Sequence, residues 1–154
     1  MQNIKVKVGS FHFSCQRCSK CCRFTPGYVF LTQNDLNSLI KITGLHPLDF
    51  INQYTRIIDL DNNRFLSLKE KDNLDCILWD KGCIYYENRP VQCRTYPFWM
   101  RIVENFTVFN EYKNSCPGIG QGKLYSEIKI KKLVSLREDN RILTESDIKK
   151  YQKS

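Results

Sequence analysis

Eight cysteines are the residues of this 154-residue chain with the clearest potential for chemistry. Four of them form one cluster, Cys15, Cys18, Cys21 and Cys22, in the pattern Cys-x2-Cys-x2-Cys-Cys. A Cys-x2-Cys spacing lets the backbone turn tightly, so that two thiolates reach one ion at about 2.3 Å. The cluster therefore predicts a binding site for a soft metal ion.

The adjacent pair Cys21-Cys22 complicates this prediction. Side chains of consecutive residues point in different directions, so the two thiols are not expected to be equivalent ligands of one ion. Either they belong to two different centres, or one of them is a redox thiol or a thiol that only supports the ligands. The pair argues against a plain four-thiolate zinc knuckle.

A second group of cysteines follows later in the chain, at Cys76, Cys83, Cys93 and Cys116. Tetrahedral zinc and iron–sulfur clusters both need four ligands, so eight cysteines could fill two sites. One site with spare thiols fits the spacing equally well. Because zinc, iron–sulfur clusters and Cu(I) all accept thiolates, the pattern indicates a soft-metal site without choosing the metal.

Eight is an even number, so a disulfide framework is the alternative use of these cysteines. We favour metal binding because the N-terminal segment lacks the apolar block of a secretory signal, which predicts a cytoplasmic protein. In the reducing cytosol, clustered thiols are more typical of metal ligands than of disulfides. The longest apolar runs fall short of the ~18 residues of a membrane span, so no membrane partner is expected.

The formal charge of +8 raises the question of a nucleic-acid partner. Half of the excess lies in residues 123–154, which hold nine Lys or Arg and five Asp or Glu. Cations elsewhere lie within three residues of a cysteine and would offset the negative charge of thiolates on a divalent ion; they are Arg17, Lys20, Arg23, Lys81, Arg94 and Lys113. The distribution favours a metal ion as the main partner, disfavours nucleic acid and leaves room for a protein partner.

The hydrophobic pattern predicts an α+β fold, a single small domain in which short antiparallel strands, several helices and long cysteine-bearing loops surround a metal site. Thr32 and Asp35 resemble a capping box at the start of a helix that Gly44 ends. Pro47 fits the first position of a second helix, which extends to about Tyr54. Strands are predicted at residues 3–8 and in three antiparallel pairs: 57–60 with 65–68, 76–79 with 83–86, and 98–103 with 107–112.

The end of the chain has a helical character. Apolar residues recur at helical spacing from residue 123 to about 137, and residues 146–151 predict one further short helix. We interpret residues 1–122 as a cysteine-cluster metal-binding domain. Residues 123–154 would be a basic helical C-terminal extension that packs on the same domain.

Two arginines bracket one of the later cysteines. Pro90 suits the first turn of a short helix that would carry Cys93 and Arg94, with Arg89 just before it. Cations in these places would stabilise thiolates and lower their pKa without binding the metal themselves. The alternative is that Arg89 and Arg94 pair with surface carboxylates, and we favour support of the metal site.

Several motifs together resemble the YkgJ-type cysteine-cluster family, known for a CxxCxxCC signature and described as a zinc- or iron-chelating domain. The matching segments are CQRCSKCC at 15–22, CIY at 83–85, RPVQCRTYPF at 89–98 and CPG at 116–118. Ser19 departs from the glycine that the family usually has. The resemblance implies that the eight cysteines hold zinc or iron, as single ions or an iron–sulfur cluster, in one or two sites.

The resemblance implies metal binding more firmly than any reaction. Some relatives are linked to protein lysine N-methylation with an iron–sulfur cluster, so an iron–sulfur-dependent protein-modifying enzyme is one alternative. Against it, the 154 residues show no separate methyl-donor domain and no catalytic residues that stand out. A zinc-organised module that binds RNA or protein is the other alternative, which the basic tail would suit.

Overall fold

The computed structural model describes residues 3–153. In chain order, the elements of this range are β1 (Phe11–Phe13), α1 (Gln33–Thr43), α2 (Pro47–Tyr54), β2 (Thr55–Leu60), β3 (Asn63–Leu68), a 3-10 turn (Tyr86–Asn88), α3 (Val91–Arg94), α4 (Met100–Val103), α5 (Phe106–Ser115), β4 (Lys123–Tyr125), α6 (Glu127–Glu138) and α7 (Glu145–Gln152). The strands form two antiparallel pairs, β1 with β4 and β2 with β3. The α+β class is therefore confirmed.

The chain packs as two compact units. Within the described residues, unit 1 comprises 3–20 and 95–139, and unit 2 comprises 21–94 and 140–153. Units of this kind reflect packing, so the functional boundary predicted between residues 122 and 123 stays a prediction. The boundary between the units falls inside the CxxCxxCC motif. Cys15 and Cys18 belong to unit 1, and Cys21 and Cys22 belong to unit 2.

Unit 1 has an aromatic core. Phe11 and Phe13 of β1 are buried, and both rings lie against Phe98 with centroids 5.3 Å and 5.6 Å away. Phe11 also meets Phe109 of α5 edge to face at 4.9 Å. Such aromatic pairs combine large apolar area with a preferred geometry, so they position β1 firmly. The segment that leads into Cys15 therefore leaves a well-packed strand.

Unit 2 has an aliphatic core that α1, α2, the β2–β3 hairpin and α7 enclose. As predicted, α1 begins at a capping box between Thr32 and Asp35 and ends at Gly44, whose φ of 67° is the left-handed conformation that glycine adopts at no steric cost. The helix from Pro47 to Tyr54 and the hairpin are also confirmed. Residues 145–152 form the predicted last helix.

Four predictions of local structure were wrong. Residues 3–8 are not a strand; the amides of Lys7 and Val8 both donate to the Val103 carbonyl, and the strand is Phe11–Phe13. Residues 98–103 and 107–112 are not paired strands, because the Asn105 side chain accepts from two amides and begins helix α5. Residues 76–79 and 83–86 are not paired strands: a turn links the single bridge between Trp79 and Cys83, and Cys76 is bridged to Glu70 instead. Residues 123–125 are strand β4, so the tail helix begins only after them.

Among the helices of residues 3–153, none combines the length and the apolar character that a bilayer crossing needs.

Candidate metal centre

The structure sorts the eight cysteines into two groups, and all eight are free thiols. Unit 2 holds five of them, which we call the unit 2 thiol group: Cys21, Cys22, Cys76, Cys83 and Cys93. Unit 1 holds the other three, the unit 1 thiol group: Cys15, Cys18 and Cys116. Cys15, Cys18 and Cys21 are exposed, and the remaining five cysteines are half-buried.

The adjacent thiols Cys21 and Cys22 lie closer together than their neighbouring positions suggested. Their Sγ atoms are 3.7 Å apart. Sulfurs bound to one tetrahedral zinc at about 2.3 Å are separated by roughly 3.8 Å, the edge of the tetrahedron. The pair, which the sequence set apart as inequivalent, therefore fits two neighbouring corners of a single tetrahedral site.

The pKa values of these two thiols shift in opposite directions. A hydrogen bond from the Cys22 thiol lowers the pKa of Cys21 to about 7, and the positive charge of Arg89 adds to that effect. The same hydrogen bond, together with burial, raises the pKa of Cys22. Cys21 is thus the thiol of this pair that first becomes a thiolate, the form that binds metals.

The other three thiols of the group all have raised pKa values. Burial raises the pKa of Cys76 to about 11, and it also raises the pKa values of Cys83 and Cys93. Charge on Cys21 contributes to each of these three increases. These thiols are therefore protonated near neutral pH and must lose their protons before they can bind a metal.

Backbone contacts bring Cys76 and Cys83 to the pair. The amide of Cys76 donates to the carbonyl of Cys22 at 2.8 Å, which joins two segments more than fifty residues apart in sequence. The chain then turns back, with Trp79 bridged to Cys83 and the amide of Ile84 donating to the Leu78 carbonyl. Leu78 is buried in the core of unit 2 and anchors this turn.

Helix α3 positions Cys93 through its buried neighbours. The amide of Val91 donates to Asp35 at 2.9 Å, the same carboxylate that caps α1. Gln92 accepts from the Phe30 amide and donates to the Tyr28 carbonyl. Asp35 and Gln92 are buried polar residues whose partners are all supplied by the chain, so they hold α3 in one orientation. The sequence identified Asp35 as a cap and gave no signal for its second role.

Arg89 and Arg94 differ in their relation to the thiols. The guanidinium of Arg89 stacks 3.7 Å over the Tyr86 ring and donates to the Tyr86 carbonyl. Its charge contributes to the lowered pKa of Cys21 and opposes the increase that burial causes in the pKa values of Cys83 and Cys93. Arg94 instead donates to the Arg89 carbonyl at 2.9 Å, so its described bond supports the backbone of Arg89.

An ion pair that the sequence reasoning did not single out lies directly beside two of the cysteines. Arg23, the residue after Cys22, contacts Asp75, the residue before Cys76, with Nε and Oδ1 2.9 Å apart. The Arg23 guanidinium also stacks 3.7 Å from the centre of the Trp79 ring. Asp75 is buried, and Arg23 lowers its pKa. This ion pair holds the segment that follows Cys22 next to the segment that precedes Cys76.

The donors of the unit 2 thiol group suit a soft metal such as zinc or iron, since thiolates are the ligands these centres use. Within residues 3–153, no three His, Cys, Asp or Glu side chains are already arranged to bind an ion. The 3.7 Å separation of Cys21 and Cys22 meets the requirement for two corners of the site. Two corners remain, and two of the thiols of Cys76, Cys83 and Cys93 would supply them after rotation of their side chains.

Comparison with known proteins gives one result of direct relevance. A family model with the description "CxxCxxCC: Putative zinc- or iron-chelating domain" matches residues 14–117, which are 104 of the 154 residues. The matched segment contains all eight cysteines. No solved structure matches the chain.

Proposed function

The chain belongs to the CxxCxxCC family, and we propose that it binds zinc or iron through the thiolates of the unit 2 thiol group. One observation carries the proposal: the Cys21 and Cys22 sulfurs lie 3.7 Å apart, and the Cys76 amide donates to the Cys22 carbonyl, so cysteines from two distant segments meet. Packing alone does not require this, because buried cysteines behave as small hydrophobes that need no thiol neighbours.

The group contains one thiol more than a tetrahedral ion or an iron–sulfur cluster needs. Cys22 has the strongest link to the rest, since its carbonyl accepts from Cys76 and its sulfur neighbours Cys21. We infer that four of the five thiols lose their protons and bind the metal, and that the fifth stays a protonated thiol. A reducing compartment such as the cytoplasm would keep all five available.

Arg89 has a supporting role in this proposal. Four thiolates on a divalent ion carry a net charge of −2, which a fixed cation within reach of three of the thiols stabilises. The stacking on Tyr86 holds the guanidinium in place at a modest entropic cost. Arg94 contributes through the backbone of Arg89, which predicts a smaller effect on metal affinity.

The proposal is tested by purifying the chain without oxygen and measuring zinc, iron and acid-labile sulfide per chain. Thiol alkylation with and without bound metal, mapped to each cysteine by mass spectrometry, then identifies the ligands. We expect bound zinc or iron, and protection of at least four members of the unit 2 thiol group. Cys21→Ser combined with Cys22→Ser leaves only three thiols in the group and should lose this metal, whereas Cys15→Ser should keep it.

Two results would contradict the proposal. One is a chain that takes up neither metal under reducing conditions. The other is alkylation of Cys21, Cys22, Cys76, Cys83 and Cys93 at the same rates with and without saturating Zn²⁺. The alkylation experiment uses the unchanged chain, so it tests the proposal even if the serine variants fail to fold.

A further inference from the structure

Most of the net positive charge of the chain lies in unit 1. Unit 1 holds eleven Lys or Arg against five Asp or Glu, whereas unit 2 holds thirteen against eleven. Unit 1 therefore carries six of the eight excess positive charges. The metal centre proposed in unit 2 adds thiolate charge to unit 2 alone, so unit 1 stays strongly cationic in the metal-bound protein.

Helix α6 carries three of these cations on its solvent-exposed side. Ile130 and Val134 are buried and pack the helix into the aromatic core of unit 1. Residues three or four apart are neighbours on a helix surface, so apolar and cationic side chains lie next to one another on the exposed side. The exposed residues between positions 128 and 136 form a set that we call the α6 outer face: Ile128, Lys129, Lys131, Lys132 and Leu136.

The two apolar residues of the α6 outer face are not needed to pack the helix. A helix that packs along one stripe normally has polar or charged residues on its opposite side. Ile128 is nevertheless 71% exposed, and Leu136 is 42% exposed. Single exposed apolar residues are common and need no explanation, but here three lysines accompany them on one helix.

The lysines of this surface are available for an external anion. In the part of the chain that the structure describes, no Asp or Glu forms an ion pair with Lys129, Lys131 or Lys132. Lys123 of β4 adds a fourth cation, because its Nζ and that of Lys129 lie 5.1 Å and 5.6 Å from the centre of the Tyr125 ring. The cationic surface therefore extends from α6 onto β4.

We propose that the α6 outer face and Lys123 bind the surface of an anionic lipid bilayer, reversibly and without crossing it. The lysine ammonium groups pair with headgroup phosphates and carboxylates, and Ile128 buries apolar area at the boundary with the acyl chains. Clusters of about four to eight Lys or Arg on such a helix are typical of proteins that bind anionic lipids. The Tyr125 ring beside two of the lysines suits the same boundary, where tyrosine is enriched.

The expectation of no membrane partner rested on the absence of an apolar run long enough to span a bilayer. A helix that lies on a bilayer needs no such run, only an exposed surface that is both apolar and basic. The two statements therefore concern different kinds of membrane contact, and the proposal adds the second kind.

Two other classes of partner fit this surface less well. Nucleic acids are bound mainly by arginine, which forms paired hydrogen bonds, and by exposed aromatic rings, which stack on bases. The α6 outer face contains neither. Protein interfaces are depleted in lysine, which supplies three of the five residues here. Lysines beside exposed aliphatic side chains favour the lipid surface.

The test is co-sedimentation of the reduced chain, purified without oxygen, with two kinds of lipid vesicle. One kind is phosphatidylcholine with about 30% phosphatidylserine, and the other is phosphatidylcholine alone. We expect half of the chain to bind the anionic vesicles at roughly 0.1–1 mM accessible lipid and about 0.1 M salt. Binding should weaken at least tenfold at about 0.5 M salt, and phosphatidylcholine alone should bind at least tenfold more weakly. Equal binding to the two kinds of vesicle, or to neither, would overturn the inference.

Variants of α6 separate the two parts of the contact. Lys129→Gln, Lys131→Gln and Lys132→Gln together remove three cations, and we expect them to weaken binding about 100-fold. Ile128→Ser keeps every charge and should weaken binding about fivefold, because less apolar area is buried. If Ile128→Ser binds as tightly as the unchanged chain, the insertion of this side chain is wrong.

The matched control removes the same number of charges from exposed positions of unit 2. Lys149→Gln, Lys150→Gln and Lys153→Gln together should weaken binding less than about threefold. Equal losses for the two triple variants would show an effect of net charge alone and would overturn the assignment to α6. Binding of a single-stranded RNA of about 20 nucleotides, without co-sedimentation, would assign the surface to nucleic acid instead. None of these readouts depends on the metal content of the chain, so their failure is separate from failure of the proposed function.

Discussion

The unit 2 and unit 1 thiol groups are built in different ways. In unit 2, four of the five thiols are half-buried, and buried polar residues hold their segments together. In unit 1, two of the three thiols are exposed, and the approach of their segments depends on glycines. Burial raises thiol pKa values and slows ligand exchange, whereas exposure permits both exchange and oxidation. The comparison supports our proposal that the unit 2 thiol group binds the metal.

The largest expected effect concerns pH. The raised pKa values of Cys22, Cys76, Cys83 and Cys93 mean that these thiols are protonated near neutral pH and must lose their protons to bind metal. Raising the pH therefore favours the metal-bound form. For the Cys15→Ser, Cys18→Ser double variant we expect Zn²⁺ affinity to rise about 10³- to 10⁴-fold between pH 6 and 7, roughly tenfold for each proton displaced. Chelator competition across this range measures the slope, and a tenfold rise or less would contradict thiolate binding in unit 2.

A substitution at Asp35 tests the buried hydrogen bonds that join α1 to α3 in unit 2. Asp35→Ala removes the carboxylate half of the α1 capping box and leaves the amides of Thr32 and Val91 without this acceptor. We expect the free energy of unfolding to fall by about 2–4 kcal/mol. Denaturant unfolding of the metal-free chain measures the loss. The control is Asp49→Ala, at an exposed residue in the first turn of α2, for which we expect a loss of about 0.5 kcal/mol from the helix dipole alone. Equal losses for the two variants would contradict the stabilising role of the hydrogen bond between Asp35 and α3.

The charge beside the unit 2 thiols is tested at Arg89. Arg89→Gln keeps a polar side chain but removes the cation that helps to lower the pKa of Cys21 and that opposes the raised pKa values of Cys83 and Cys93. We expect Zn²⁺ affinity to fall about 10- to 100-fold at pH 7, as for other residues that orient or stabilise metal ligands. Arg101→Gln, which removes a guanidinium facing Tyr112 in unit 1, is the matched control and should change the Zn²⁺ affinity by less than about twofold. If both variants bind equally well, Arg89 has no role at the site.

The smallest expected effect concerns the Arg23–Asp75 pair. Arg23→Gln leaves the buried Asp75 carboxylate without its cation, and the loss of unfolding free energy should be about 1–3 kcal/mol. Because Arg23 lowers the pKa of Asp75, this stabilisation is present above the usual carboxyl range and is lost as the pH falls through the lowered value. Unfolding curves at pH 7 and pH 3 measure it. Arg64→Gln, which removes the ion pairs of the exposed Arg64 with Asp59 and Glu145, should cost about 0–1 kcal/mol, and a loss equal to that of Arg23→Gln would contradict the prediction.

Elements fixed by local contacts could be predicted from the sequence. The α1 cap depends on two residues three positions apart, and its end depends on one glycine, so both were visible in the chain. Strands are predicted wrongly at residues 98–103 and 107–112 because apolar residues are frequent there. Phe98 and Ile102 are four residues apart and both buried, which is the helical spacing, and the Asn105 cap then begins α5.

The candidate metal site could be predicted only in part. Cysteine type and spacing identify a soft-metal binder, and the family match agrees with zinc or iron chelation. The grouping of the cysteines depends on contacts between distant segments, such as the Cys76 amide with the Cys22 carbonyl and Arg23 with Asp75. Cys21 and Cys22 were expected to point apart, as in regular backbone. The turn that contains them instead brings their sulfurs within 3.7 Å.

X-ray absorption at the zinc edge tests the central claim most directly. The sample is the Cys15→Ser, Cys18→Ser double variant with one equivalent of Zn²⁺, which isolates the unit 2 thiol group. We predict a first shell of four sulfurs at about 2.3 Å. A first shell dominated by nitrogen or oxygen at about 2.0–2.1 Å would contradict the assignment of this group as the metal centre.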